Sequence, residues 1–379
     1  MTDESKAVLN PGEKVQPDVS KEEAGRLLQR LYGMSAIKVD ELSSYDDKNF
    51  HIHVDTSNDV NLSENGYVLK ILNSLDSKFP EAIEAQNRLI LHVADRSICT
   101  SRPLPNLRNE MWSLETLERS GDAKFIVRLF TYVPGKIFLG VRYSPSLVHS
   151  VGKLAGKLNA ACSDFFDPAF SNYKRIWSLT EVPKLTKFVG CLKDVKKEEA
   201  VLQVVKEFDE YVMSNYSTLK KGMIHGDLSD NNILIKASSS LPGDYEVVGF
   251  LDFGDATEAY YVFEIAILIC YVMINAGAED DPIELGGHAL AGYLSEFPLS
   301  VADLSVLKIC IAGRLIQTLV LGAYTASMEP ENAAYVLQTQ ARGWEQLFLL
   351  CARSDQEVFD SWDSVLKLYN LTFKFKETV

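Results

Sequence analysis

Met223-Ile224-His225-Gly226-Asp227-Leu228-Ser229-Asp230-Asn231-Asn232-Ile233-Leu234, followed by Leu251-Asp252-Phe253-Gly254, is the stretch on which the fold turns. It has the H-x-D-x-x-x-x-N spacing of a phosphoryl-transfer loop. Two strand-like runs, 232–236 and 246–252, are joined by the polar turn 238–244, so the motif residues fall at the ends of a hairpin. In that arrangement Asp227 points at an acceptor hydroxyl, while Asn232 and Asp252 converge on Mg²⁺ at the phosphates of a nucleotide. Oxygen donors suit that hard cation. Each piece alone is common, and an acid beside a turn is ordinarily just solvated. Five specified residues in order, each beside the strand it needs, point instead to chemistry.

Working upstream, the pattern asks for a lysine on an early strand and a glutamate on the helix that follows. Lys70 interrupts the β-rich run 66–72, and Pro80 opens a helix carrying Glu84, Leu89, Ile90 and Val93. A lysine inside an apolar strand is costly unless paired, so a Lys70–Glu84 salt bridge is expected, aiming the ammonium at the phosphates. Neither G-x-G-x-x-G nor G-x-x-x-x-G-K-[ST] occurs. The turn between strands 36–42 and 49–55 takes the place of a glycine flap. Its backbone N–H groups and the Ser44 hydroxyl would contact phosphate, with Asp46 and Asp47 as awkward neighbours for an anion. Tyr132, closing the strand 125–132 before Val133-Pro134-Gly135, is the expected hinge contact to the base.

Ser20 and Glu23 form a capping-box pattern ahead of Leu27, Leu28 and Leu31, and Gly33 supplies the stop. Residues 1–18, rich in Pro, Lys, Glu and Asp, read as a flexible arm. Residues 19–133 then form a small lobe with an antiparallel sheet. Residues 134–379 form a larger helical lobe starting at the N-cap Ser144-Pro145 and interrupted by one strand pair. Glu264, in a strongly apolar helix, is expected to support the loop around Asp227.

Fifty-two acidic against thirty-eight basic residues give 379 residues a formal charge of -14. That field repels polyanions and favours small cationic ligands, so nucleic acid is not an expected partner. The six cysteines are scattered, without metal-ligand spacing, and read as reduced core thiols. Sequons begin at Asn61, Asn215 and Asn370, but the start MTDESKAVLN has no apolar segment of a signal peptide, so the expected location is the cytoplasm. The longest apolar runs, 265–274 and 311–326, fall short of about 20 apolar residues, and the second carries Arg314 and Gln317; no membrane span is expected. Oligomeric state is left open.

The strings SSYDDKNFHIHV, YVLKI, EAIEAQNRLI, FIVRLFTYVPGK, MIHGDLSDNNILI, VVGFLDFGDATEAYYVFEIAI and GGHALAGY carry a resemblance. The chain resembles the aminoglycoside phosphotransferase and choline kinase group of the kinase-like superfamily, over nearly its whole length after the arm. Within that group it is most similar to the hydroxylysine kinase family. The resemblance implies an α+β, two-lobed protein-kinase-like fold and transfer of the γ-phosphoryl of GTP, or ATP, to the side-chain hydroxyl of 5-hydroxy-L-lysine with Mg²⁺. Asp227 would be the catalytic aspartate, Asn232 and Asp252 the metal ligands, Lys70 the phosphate lysine and Glu84 its partner. Gly226 stands where protein kinases have the arginine of H-R-D, and no A-P-E follows, which fits a small-molecule acceptor. An acceptor with one carboxylate and two ammonium groups would need an arginine and acids: Arg314, with Asp230, Asp255 and Glu258, are the candidates. The residues leave open a choline- or homoserine-like acceptor and an inactive nucleotide-binding scaffold. The terminal Thr378-Val379 matches a PDZ-binding tail in two residues only.

Overall fold

The computed structural model describes residues 15–57, 62–239, 243–328, 333–372 and 375. Residues 1–14 of the expected arm, the sequon at Asn61, the tip of the 238–244 turn and the tail 376–379 lie outside the described residues. The chain divides into two compact units: Met1–Pro134 with Asp167–Lys174, and Gly135–Phe166 with Arg175–Val379.

In the first unit, α1 (Lys21–Tyr32) starts where the Ser20 hydroxyl accepts the Glu23 N–H and stops at Gly33, whose φ is 72°. The reciprocal arm of the box is not made, because the Glu23 carboxylate accepts the N–H of Glu118 instead. Strands β1 (Ala36–Leu42), β2 (Lys48–Val54), β3 (Tyr67–Ile71), β4 (Pro103–Leu104), β5 (Ser113–Thr116) and β6 (Lys124–Thr131) form one antiparallel sheet ordered β1-β2-β3-β6-β4, with β5 also on β6. Alternation decides its faces. Phe50, Ile52, Leu69, Ile71, Val127 and Leu129 bury one face under Leu27, Leu28 and Leu31 of α1. Lys70 has the opposite parity, and in register it lies across from Asn49 on β2 and Arg128 on β6. The helix opened by Pro80 is α2 (Pro80–Asp95).

Two expectations about this unit need correcting. Residues 15–18 are not a loose arm: Val15, Pro17 and Val19 are buried, and the Val15 carbonyl accepts the Ser74 N–H at 2.9 Å. The alternating apolar residues were masked by the polar ones between them. Nor does the first unit end once and for all at Pro134. The segment Asp167–Lys174 belongs to it because Arg88 of α2 donates twice to Asp167, at 2.9 and 2.6 Å, and Tyr173 packs on Phe79.

The second unit holds β7 (Lys136–Ile137), α3 (Pro145–Cys162), α4 (Val195–Tyr211), β8 (Lys221–Ile224), β9 (Ile233–Ala237), β10 (Tyr245–Phe250), β11 (Thr257–Tyr260), α5 (Tyr261–Ile274), α6 (Pro282–Leu294), α7 (Val301–Ser305), α8 (Leu307–Met328), α9 (Ala333–Val336), α10 (Gln340–Ala352) and α11 (Asp355–Leu368). Beyond the expected β9–β10 pair, β7 adds antiparallel to β9 and β8 pairs with β11, strands too short for alternation to reveal. All of α5 is buried, packed on α6 and α8. At 22 residues α8 is long and apolar enough to cross a membrane, contrary to the length reading, yet most of its surface is spent inside this unit.

Helices α3 and α6 approach through glycines. A Cβ on Gly152 would stand 2.0 Å from the Ala289 carbonyl oxygen, and one on Gly292 2.0 Å from that of His149. Because the obstacle in both cases is backbone, the helices would have to separate. Gly292→Ala should therefore lower the unfolding free energy by about 1 to 3 kcal/mol, measured by denaturant titration. Gly190→Ala, where nothing lies within 4 Å, should stay within about 0.5 kcal/mol of the parent.

Candidate active site

Strand β8 delivers His225-Gly226-Asp227 to the end of the β9–β10 hairpin. Gly226 has φ 80°, and a Cβ there would stand 2.4 Å from the Asp255 carbonyl oxygen. Only glycine meets both demands, which is why no arginine can precede Asp227. The buried His225 then ties three segments together. Its backbone N–H donates to Glu264 Oε2 at 2.5 Å, its Nε2 faces the Leu251 carbonyl at 2.9 Å, and its Nδ1 accepts the Asp227 N–H at 3.3 Å. One donating and one accepting nitrogen is the pattern of a neutral ring, and burial lowers its pKa in the same sense.

Both oxygens of Asp227 are gripped. Arg314 Nη2 donates to Oδ1 at 2.6 Å, while Asn232 Nδ2 at 2.7 Å and the Ser229 hydroxyl at 3.3 Å donate to Oδ2. Asn232 Nδ2 also reaches the Asp227 carbonyl at 3.0 Å. With its Nδ2 turned inward, Asn232 would present its Oδ1 to a cation. Asp252 follows β10 with φ 56°, its Oδ1 accepting the Gly254 N–H at 3.0 Å. Among the described residues no three His, Cys, Asp or Glu side chains close into a metal cage. That donor set fits Mg²⁺, which takes one or two protein oxygens and finishes its shell with phosphate and water.

Three further acids surround this loop. Asp230, 3% exposed, accepts from Asn275 at 2.6 Å and from the Tyr143 hydroxyl at 3.4 Å, both neutral, and burial pushes its pKa up to about 7. Asp255 pairs with Arg175 at 2.8 Å, and its pKa is raised by burial against that arginine's pull. Glu264, fully buried on α5, supports the loop through His225, with Asn159 at 3.5 Å and its Oε1 unpartnered; burial lifts its pKa to about 7. Glu258 is elsewhere, paired with Lys221 at 2.9 Å across β8 and β11.

Two expected partnerships are overturned. Arg314 is 2% exposed and committed to Asp227, with Nη1 on the Trp177 carbonyl at 3.2 Å and Gln317 Oε1 at 3.0 Å, so its two Nη groups are spent inside the protein rather than offered to an acceptor carboxylate. Glu84 does not hold Lys70. It stands 37% exposed beside Arg88, one helical turn on at 3.7 Å, and accepts from Asn87 at 3.3 Å. Lys70, 7% exposed, instead meets Asp47 at 3.2 Å. Asp47 is fixed by the N–H and Nδ2 of Asn73 at 2.8 and 3.1 Å. The turn leads straight into the β2 residue opposite Lys70, whereas Glu84 faces outward from α2. In the same turn Ser44 donates to the Asp47 carbonyl at 2.6 Å, and Tyr132 stacks on His51 with centroids 3.8 Å apart. Arg175, Trp177, Tyr271 and Asn275 were missed, and Asp47 was read only as an awkward neighbour for an anion, although an acid just before the strand that pairs with the lysine strand was a signal for its pairing.

The model of the phosphotransferase enzyme family matches residues 42–303. The chain belongs to that family. Among curated proteins, hydroxylysine kinase of Mus musculus is 35% identical over 360 residues, covering 93% of this chain and 95% of its own length. Hydroxylysine kinase of Danio rerio is 33% identical, covering 92% and 96%. Among solved structures, an amicoumacin kinase in complex with AMP-PNP and Ca²⁺ superposes with TM-score 0.62 at 20% identity, covering 88% of this chain and 92% of its own. A GDP complex of an aminoglycoside 2'-phosphotransferase gives 0.56 at 16% identity, covering 88% and 98%. The phosphotransferase therefore has a two-lobed kinase-like fold and is an enzyme that passes phosphate to a hydroxyl acceptor on a small molecule.

Glu264 makes stability depend on pH. Between its ordinary 4.5 and about 7 the unfolded chain has released this proton while the folded chain keeps it. The folded state binds more protons there, so this group's contribution to stability falls as pH rises. Glu264→Gln should flatten that decline by a few kcal/mol between about pH 4.5 and 7, seen as a smaller midpoint difference between those pH values in denaturant titrations. An unchanged difference would remove Glu264 as its source.

Proposed function

We propose that this phosphotransferase moves the γ-phosphoryl group of GTP onto the side-chain hydroxyl of 5-hydroxy-L-lysine. The observation that carries the reaction is the Asp227 carboxylate, held from both ends by Arg314 and Asn232 at the end of the β9–β10 hairpin. The acceptor rests on the similarity to hydroxylysine kinases over nearly the full length of both chains, and GTP as donor on the family resemblance of the sequence motifs.

Asp227 orients the acceptor hydroxyl and takes its proton. The new bond joins that oxygen to the γ-phosphorus, and the bond from the γ-phosphorus to the β-phosphate oxygen breaks. The transition state of such transfers is loose, so position and charge matter more than covalent help. Mg²⁺, held by Asn232 Oδ1 and the Asp252 carboxylate, would supply neutralising charge to the phosphates. Lys70, aimed by Asp47, adds a second cation for them. Asp230 is the acid suited to an acceptor ammonium, since its partners Tyr143 and Asn275 are neutral, whereas Asp255 already faces Arg175. Tyr132, stacked on His51, offers an aromatic surface for the base.

Phosphate transfer measured with purified protein, crossing GTP and ATP with hydroxylysine, lysine, choline and homoserine, tests the proposal. Turnover should require hydroxylysine and be higher with GTP. Turnover of choline or homoserine instead would overturn the acceptor, and a preference for ATP the donor. Asp227→Asn should keep nucleotide affinity and lower kcat by at least ~10²-fold, and Asp252→Ala should abolish magnesium-dependent activity. Asp47→Asn should raise the nucleotide KM about tenfold through the loss of a buried lysine's partner, with Glu84→Gln within about twofold. The reverse ranking would restore Glu84 as that partner.

A further inference from the structure

Arg314 is a buried cation whose surroundings are arranged around one bond. On α8, Gln317 lies one turn beyond it on the same helical face. Gln317 Nε2 donates to the carbonyls of Ile176 and Ser178 at 2.7 and 3.1 Å, and its Oε1 accepts from Arg314 Nη1. The guanidinium lies over the rings of Trp177 and Tyr271 at 5.2 and 5.5 Å, and Nη2 also touches the Tyr271 hydroxyl at 3.2 Å. Both Nη nitrogens are thereby fixed, and Nη2 stands 2.6 Å from Asp227 Oδ1. Arg314 Nε, by contrast, is buried with no partner. A purely structural arginine would be expected to spend that donor.

We propose that Arg314 is a positioning residue for phosphoryl transfer: it sets the rotation of the Asp227 carboxylate, and the backbone of residues 176–178 sets Arg314 through Gln317. A carboxylate held only by Asn232 and Ser229 at Oδ2 can still turn about its Cβ–Cγ bond; a second grip at Oδ1 removes that freedom. The guanidinium also offsets the charge of an aspartate placed among Asp230, Asp252 and Asp255, where a triphosphate would add more of the same sign. This rests on the role proposed for Asp227, and goes beyond it by naming what orients that group.

The test uses the full chain with whichever nucleotide and acceptor the parent enzyme turns over, so a wrong acceptor assignment leaves it intact. Arg314→Met should lower kcat about 50-fold or more with the acceptor and nucleotide KM within about threefold, and Arg314→Lys should recover part of the loss. In Asp227→Asn, adding Arg314→Met should cost nothing further. Guanidinium chloride at low millimolar concentration should raise kcat of Arg314→Ala several-fold. If the methionine variant does not fold, Gln317→Met, which keeps the arginine but unseats it, should lower kcat several-fold with KM unchanged. A raised acceptor KM at unchanged kcat, unchanged kcat in every variant, or full additivity with Asp227→Asn would overturn the proposal.

Discussion

A backbone amide given to a buried carboxylate, the His225 N–H on Glu264, is the constraint around which the site is assembled. Burying that carboxylate is expensive, as its raised pKa records, and a carboxylate left with one oxygen unpartnered is not optimised for stability. What the cost secures is placement. With the His225 backbone anchored to α5, its imidazole reaches the Leu251 carbonyl and the Asp227 N–H at once. The residue before Asp252 and the amide of Asp227 are therefore registered to one ring. The Leu251 N–H donates to the Asn232 carbonyl at 2.8 Å and closes the same loop from the hairpin side. Asp227, Asn232 and Asp252 cannot drift independently, which phosphoryl transfer with little covalent assistance requires.

Charge is distributed with the same economy. Four aspartates, 227, 230, 252 and 255, crowd the end of the hairpin, and two like charges about 4 Å apart cost ~4 kcal/mol at an effective dielectric constant of 20. Arg314 answers Asp227 and Arg175 answers Asp255. Gly226 makes this crowding sterically possible, since any side chain there would push the Asp255 backbone away. The glycine that replaces the arginine of H-R-D is thus a packing requirement, and the compensating cation comes from a distant helix.

That division explains what could be read from the sequence. Local chemistry was legible: the hairpin, the N-caps at Ser20 and Ser144, the strand bearing Lys70 and the helix opened by Pro80 all follow from patterns a few residues long. Partnerships were not. Lys70 sits 23 positions from Asp47 and 14 from Glu84 by their numbering, and sequence distance says nothing of which carboxylate a sheet face brings near. Arg314 was conspicuous as a charge in an apolar helix, but the identity of its partner depends on how α8 rotates about its axis against the loop after β8. Short strands β8 and β11 escaped for a different reason: four residues are too few for alternation to rise above chance.

Committing Arg314 inward has a consequence for the acceptor. A ligand that carries both signs of charge can no longer be met by this arginine, and Arg175 is engaged with Asp255. Of the three candidate acids, Asp255 and Glu258 already face Arg175 and Lys221, whereas buried Asp230 accepts from the neutral Asn275 and Tyr143. A protonated carboxyl can remain there at modest cost, but an approaching ammonium would favour its ionised form, exchanging a proton for a fixed cation. With Asp230 and Asp227 in the roles proposed for them, the local field would reward a positively charged acceptor at the moment it binds, and an acceptor with neither ammonium nor hydroxyl would gain from neither residue. Selectivity of this kind comes from which buried charges are already answered within the protein, rather than from the number of contacts a ligand can make.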